Sequence, residues 1–454
     1  MSKKLSIFLS LLLIGALVLV ACGGEEAAEE PTAEPAEEVV EEPAEEPTEE
    51  PMEEPTEEPM EEPAEEPMEE PTEEPMEEPA EEATVQLVVW GDEVVAPAVE
   101  ALAPQFLEEF GIDLVVQQIA FDDQREQIRI AAPAGEGPDI FVTAHDRIGE
   151  FIASGLISPI SVGDKADSFV PSSLEAFTFE GELYGLPYAT ENVGFFRNVD
   201  LVAEPVETWE DVQTIAASLV EEGSASAATA LSSSNFHAYG INTAFGGYIF
   251  GTDDQGFIDP TDVGLDSEGF IASGEYLQGL VDAGLMPSTV DGETAQSLFE
   301  TGEIPFIIEG PWVLNRFRES DINYTIDPLP AGPAGPGAPF LGVRGFVVNA
   351  FSENQLLAET FLTELVATDD VMMQLFEADP RPPAWIPTAE AIEDEDISNF
   401  GAIAPVAQPM PAIPEMGSVW GAWGDAIQLI LNQEQEPAPA LENAAQQVRD
   451  LIAE

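Results

Sequence analysis

One cysteine, two histidines and a great excess of carboxylates set the chemistry open to this 454-residue chain. Cys22 alone can form neither an intrachain disulfide nor a redox dithiol. With His145 and His237 as the sole imidazoles, the chain offers few ligands to a transition metal. No metal site and no cofactor are expected. Gly-x-Ser-x-Gly, a Walker loop, a post-strand Gly-x-Gly-x-x-Gly and His-Glu-x-x-His are all missing, which weakens enzyme readings. A glycosidase remains open, since it needs only two well-placed carboxylates and sequence spacing does not report spatial pairs. The 90 Asp and Glu against 12 Lys and Arg give a formal charge of −78, which excludes nucleic acid as a partner.

A few residues stand out by local context. Asp146 and Arg147 come just after the strand expected at Asp139–Val142, and the end of such a strand is where an open α/β sheet exposes its crevice. A carboxylate and a planar five-donor guanidinium can each grip two neighbouring polar groups. Asp92 follows the first strand, and Glu191 follows the break at Pro187. Trp312 and Trp420 come after Gly/Pro-rich stretches and not inside apolar periodic runs, a context that favours exposed rings. Trp90, Trp209 and Trp385 read as structural, and Trp423 reads either way. His145 reads as structural, and His237 carries no signal of its own.

The chain that must position these residues divides by composition. Lys3 and Lys4, the apolar run Leu5–Val20 and the small-residue string Ala21-Cys22-Gly23 form a signal peptide over residues 1–21, too short for a comfortable membrane span. Residues 25–82 hold 29 acids and no base, and from Glu41 to Ala80 the chain repeats Glu-Glu-Pro-X ten times. Proline every fourth residue removes donors and blocks helix while paired glutamates repel. Residues 22–82 should therefore form an extended stalk, reaching at most roughly 190 Å. Residues 83–454 carry the apolar and aromatic content of a folded domain, with Lys165 as their only lysine.

Within 83–454, short β-branched runs alternate with amphipathic stretches: strands at Gln86–Trp90, Ile112–Ile119 and Asp139–Val142, and helices near Ala96–Phe110, Asp123–Ala132 and Arg147–Ser154. That alternation implies a parallel α/β sheet. Further helices are expected at Trp209–Glu222, Ser267–Ala283, Thr294–Thr301, Glu353–Thr368 and Asp370–Phe376, with tail helices at Ala422–Ile430 and Pro439–Ile452. Strands are expected at Ile304–Glu309 and Gly345–Asn349.

Several strings, in order, resemble the maltose/maltodextrin-binding members of the bacterial extracellular solute-binding proteins that feed ABC importers. They include Leu87-Val88-Val89-Trp90, Gly137-Pro138-Asp139-Ile140, Ala144-His145-Asp146-Arg147, Gly185-Leu186-Pro187-Tyr188 and Thr208-Trp209-Glu210. Later come Glu309-Gly310-Pro311-Trp312 and Met410-Pro411-x-Ile413-Pro414-x-Met416-x-x-x-Trp420. Leu-Val-Ala-Cys, ending at Cys22, resembles a lipobox, whose cysteine is diacylated. The resemblance implies two α/β lobes joined by a multi-crossing hinge, with the ligand in the interlobe cleft. It places crossings near Ala189–Val193, Gly342–Val347 and Arg381–Pro387. The N-lobe would hold about 83–188 and 348–382, and the C-lobe about 194–341 and 388–454.

A pyranose offers an apolar C–H face and a rim of hydroxyls, so its site needs flat aromatic platforms and forked polar groups. By resemblance the platforms are Trp312 and Trp420, the polar groups Asp146, Arg147, Glu191 and Asp92, and Phe236 and Tyr239 fall where the family presents an aromatic from the C-lobe. The implied partners are a maltooligosaccharide or related sugar, the importer's permease and the membrane, to whose outer face a lipidated Cys22 would anchor a monomer. Thr143, Glu93 and Gly424 depart from the family's usual side chains, which leaves trehalose or another sugar open as ligand.

Overall fold

The computed structural model describes residues 85–453 apart from 232–234 and 289. The signal peptide, Cys22 and the stalk lie outside the described residues.

The first half begins as its sequence pattern dictates. Strand Val85–Gly91 pairs in parallel with Ile112–Gln118, from Val85 opposite Ile112 to Gly91 opposite Gln118, and on its other side with Ile140–Ala144. The helix between the first two strands, Val95–Phe110, buries Val95, Ala98, Val99, Leu102 and Phe106, one stripe at three- and four-residue spacing. Its start is fixed by the Asp92 carboxylate, which accepts from the backbone N–H of Val94 and Val95. Gly111, at φ 67°, ends it in the left-handed conformation that a residue without Cβ adopts cheaply.

The sheet is mixed where alternation alone implies a parallel one. Strand Phe340–Asn349 returns from the other half of the molecule and enters antiparallel to Ile140–Ala144 and Leu186–Glu191. Among the described residues its parallel neighbour is Gln408–Pro409. The strand is also longer than the expected Gly345–Asn349, because its first residues cross between the two halves.

The second half is built on a four-stranded sheet in the order Tyr324–Asp327, Gly194–Asn198, Phe306–Glu309, Thr229–Ala230. Against it packs Trp209–Glu222, capped by the Thr208 hydroxyl and closed by Gly223, together with Glu268–Asp282, Met416–Leu431 and Pro437–Ala453. Each half owns its hydrophobic clusters: Leu87, Phe106, Phe346 and Trp385 pack together in the first, and Phe195, Trp209, Phe306 and Trp423 in the second. Trp90, Trp209 and Trp385 are buried, and so is Trp423. The stretch expected as one helix, Glu353–Thr368, is an α-turn Gln355–Thr360 followed by the wider π-turn Phe361–Val366.

The halves are joined at three places. Leu186–Glu191 of the first sheet runs on into Gly194–Asn198 of the second, Phe340–Asn349 comes back, and the chain crosses again past Arg381, where Pro383 bridges to Ala189. Between the halves lies a cleft.

Candidate functional site

The cleft has a volume of about 750 Å³. Its first wall carries Asp146, Arg147, Phe121 and Arg125. The second carries Phe236, His237, Gln296, Trp312 and Trp420, and the three crossings supply Glu191, Arg344 and Arg381 to its floor. Asp92 also lines it.

Asp146 and Arg147 sit in a single 3-10 turn, His145–Arg147, at the end of strand Ile140–Ala144. The turn is locked by His145, whose Nδ1 accepts the Val343 N–H at 3.1 Å while Nε2 lies 3.1 Å from the Met410 carbonyl. Nδ1 must be bare to accept, so Nε2 bears the proton and donates; the ring is neutral, in keeping with a pKa that burial pushes below the usual imidazole value. Asp146 accepts from the Trp420 indole N–H at 3.0 Å, a bond that spans the cleft. Arg147 donates to the Phe121 carbonyl at 3.0 Å and lays its guanidinium 4.0 Å from the centre of the Phe121 ring.

The two tryptophans are half-buried, each with its N–H tied to a carboxylate. Trp420 stacks on Trp423, with centroids 6.0 Å apart and planes 19° from parallel. Trp312 donates to Glu309 at 2.8 Å, and its ring folds back over Gly310, where any Cβ would overlap the indole. The glycine of the Gly-Pro-Trp string is therefore a steric requirement of the Trp312 pose. Phe236 stands 6.0 Å from Trp312, centroid to centroid.

Asp92 and Glu191 reach the floor but are already engaged. Arg344 pairs with Asp92, Arg381 with Glu191, and Arg381 Nε also donates to Asp379 at 2.6 Å. Burial alone would raise the Asp92 pKa; the Arg344 charge, the Val95 N–H and Arg381 outweigh it and hold the carboxyl down at about 2. Asp379 shifts the other way, its pKa raised because burial outweighs the same arginines. Each crossing thus contributes one charged residue to a buried network.

Tyr239 corrects an expectation. It lies behind the second wall, buried, with its ring stacked 3.6 Å from that of Phe340 and its hydroxyl donating to Gln408 at 2.8 Å. The Asn235–Ala244 helix sets Phe236 on the cleft wall; Tyr239, one turn further along the same side, is covered by Phe340 and Trp423 and belongs to the core. Thr143, the residue just before Ala144, is wholly buried and lies outside the cleft wall.

Sequence reasoning missed Arg125, Arg316, Arg344, Arg381, His237 and Gln296, all of which line the cleft. A signal existed for the arginines. Residues 83–454 hold only ten basic side chains, and five of them, counting Arg147, converge here. In so acidic a chain, each base is the rarer and more informative residue.

The model of the family described as bacterial extracellular solute-binding protein matches residues 101–405. This chain belongs to that family. Among its relatives, the galactooligosaccharide-binding protein of Bacillus subtilis (strain 168) is 30% identical over 384 residues, 81% of this chain and 89% of that protein. The maltodextrin-binding protein MdxE of the same organism is 26% identical, over 74% of this chain and 82% of its own. The maltotriose-binding protein of Pyrococcus abyssi (strain GE5 / Orsay) is 28% identical, over 68% and 69%. Two α/β lobes, three crossings and a cleft between them are the solute-binding protein fold, and the cleft is where such a fold meets its solute.

Proposed function

We propose that this solute-binding protein is the receptor of a carbohydrate ABC importer, capturing maltose/maltodextrin-type α-glucosides in its cleft and delivering them to a membrane permease. One observation carries the reading: Trp312, Trp420 and Phe236 share a cleft with Asp146 and Arg147. Half-exposed aromatic faces suit the C–H faces of successive pyranoses, and charged forks suit their hydroxyl rims. Relatives named for maltodextrin and maltotriose support the same choice. In this reading the protein is a monomeric receptor and no enzyme, held at the outer face of the cell membrane by a diacylated Cys22, with its lobes near 83–188 and 348–382, and 194–341 and 388–454. No helix among the described residues is long and apolar enough to cross a membrane.

The relative named for galactooligosaccharides favours a second reading, the same receptor for a galactose-containing chain. Both sugars present hydroxyl rims and apolar faces; they differ in the direction of single hydroxyls. Thermal shift and calorimetry with maltose, maltotriose, galactooligosaccharides, trehalose and amino acids decide between them, because only a ligand of the native state raises the melting temperature. Maltotriose should give the largest shift. A larger shift with galactooligosaccharides establishes the second reading, and a response to amino acids alone defeats both. Intact sugar after prolonged incubation separates a receptor from a glycosidase.

A further inference from the structure

We infer that Glu309 is the positioning residue of the second wall, fixing Trp312, His237 and Gln296 in the pose in which a bound oligosaccharide meets them. This rests on the oligosaccharide reading above. Glu309 ends strand Phe306–Glu309, opposite Gly194 at the start of the neighbouring strand, and is 1% exposed. It does not line the cleft itself. Its Oε2 accepts from Trp312 Nε1 at 2.8 Å and faces His237 Nε2 at 3.2 Å, and its Oε1 accepts from Gln296 Nε2 at 3.1 Å.

These partners come from three separate elements: the turn Pro311–Val313, helix Asn235–Ala244 and helix Gly292–Glu300. All three line the cleft. One buried carboxylate thus ties together groups that the chain brings from different places. His237 stands edge-on to Trp312, 5.6 Å between centroids and 82° between planes, so the ring poses depend on one another. Gln296 is constrained further, since its Oε1 accepts from Arg316 at 2.6 Å. That bond fixes which end of the amide faces Glu309.

The carboxylate charge state matters because a neutral isostere cannot serve all three donors. In Glu309→Gln one acceptor becomes an NH2 group. Placed at Oε2 it confronts both rings; placed at Oε1 it confronts the Gln296 amide, which cannot turn without breaking its bond to Arg316. At least one donor then loses its partner beside a group that is itself 1% exposed, and such a loss costs more than one average hydrogen bond.

The test uses the full protein, maltotriose and a galactooligosaccharide as probes, and the variants Glu309→Gln, Trp312→Phe and their combination. Trp312→Phe keeps an aromatic face but lacks the N–H. Glu309→Gln should weaken binding of whichever probe the wild type takes by about tenfold. Adding it to Trp312→Phe should cost clearly less than the two single losses multiplied, as for residues acting through one contact. In the sugar-free protein, the indole N–H resonance that Trp312→Phe deletes should move in Glu309→Gln. Wild-type affinity in Glu309→Gln, an unmoved indole resonance, or multiplying losses would each overturn the inference. Should Glu309→Gln not fold, wild-type affinity in Trp312→Phe overturns it equally. A wild-type protein that binds neither sugar defeats the oligosaccharide reading alone, because the resonance reports on Glu309 without ligand.

Discussion

The floor of the cleft and its walls are built on opposite plans. On the floor, Asp92, Arg344, Glu191, Arg381 and Asp379 are all buried and spend their charges on one another. On the walls, Trp312, Trp420, Phe236 and Arg147 are half-buried and leave faces uncovered. A network whose charges are paired internally gains little from a ligand and loses much when one member is removed, whereas an uncovered ring gains area from every sugar laid on it. The floor therefore acts mainly on the joint between the lobes and the walls mainly on the ligand. Position in the cleft does not by itself predict a role in binding.

Breaking the floor should give the largest effect. Arg344→Met leaves Asp92 buried and without its counter-charge, and should cost about 3–5 kcal/mol of stability, the usual penalty for stranding one partner of a buried pair. Urea denaturation reads it. Adding Asp92→Asn should recover part of the loss, since a neutral amide has less need of the arginine. If Arg344→Met keeps its stability and loses only ligand affinity, floor and walls do not differ in the way proposed.

The complementary change is on the wall. Trp420→Ala should weaken maltotriose by about 2–4 kcal/mol, the range of an aromatic anchor at a binding hot spot, while shifting stability less than Arg344→Met does. Calorimetry beside urea titration gives both numbers for both variants. Crossed outcomes, with Trp420→Ala the less stable and Arg344→Met the weaker binder, would reverse the assignment.

Acid sharpens the comparison, because the floor holds buried carboxyls displaced from their ordinary values. Asp92 sits near 2, below its ordinary 3.8. A depressed carboxyl contributes stability that is present above its unfolded pKa and is lost as pH falls through the folded one. The contribution is about 2 kcal/mol, disappearing between roughly pH 4 and pH 2. Asp379 has the opposite sign: with its pKa raised, its contribution is full below the ordinary value and declines as pH rises through the folded pKa. The two act in adjacent windows, Asp379 above about pH 4 and Asp92 below it. Replacing Asp92 with Asn should therefore flatten the acid limb of a urea-stability profile, and an unchanged limb would mean that other carboxyls set it.

What the sequence made legible follows the same division. Helices such as Val95–Phe110 and Trp209–Glu222 declare themselves through apolar spacing and capping residues, which are local. Asp146, Arg147, Trp312 and Trp420 declare themselves through strand ends and Gly/Pro breaks, which are local too. The pairing of Arg344 with Asp92 joins residues 252 positions apart, and that of Arg381 with Glu191 joins residues 190 apart. Nothing near either arginine says that a carboxylate awaits it. The antiparallel entry of Phe340–Asn349 was hidden for the same reason, since strand direction depends on where the chain comes from. The Asn235–Ala244 helix offers no amphipathic stripe, being buried from His237 to Asn242.

The smallest expected effect concerns a residue just behind the wall. Tyr239 shares a helix with Phe236 and resembles it in sequence context, yet its ring is sandwiched in the core against Phe340 and 6.1 Å from Trp423. Its hydroxyl reaches the exposed side chain of Gln408. Tyr239→Phe keeps the stack and removes one neutral hydrogen bond whose acceptor can turn to water, so the cost should be about 0.5–1.5 kcal/mol of stability. Sugar affinity should stay within about twofold of wild type, because no atom facing the cleft is altered. Phe236→Ala, one helical turn away, should instead weaken maltotriose while costing less stability than a wholly buried ring would, being half-exposed at the start. If Tyr239→Phe reduced affinity as much as Phe236→Ala, the hydroxyl would have to reach the ligand in the bound state. The wall would then be one layer deeper than the sugar-free protein suggests.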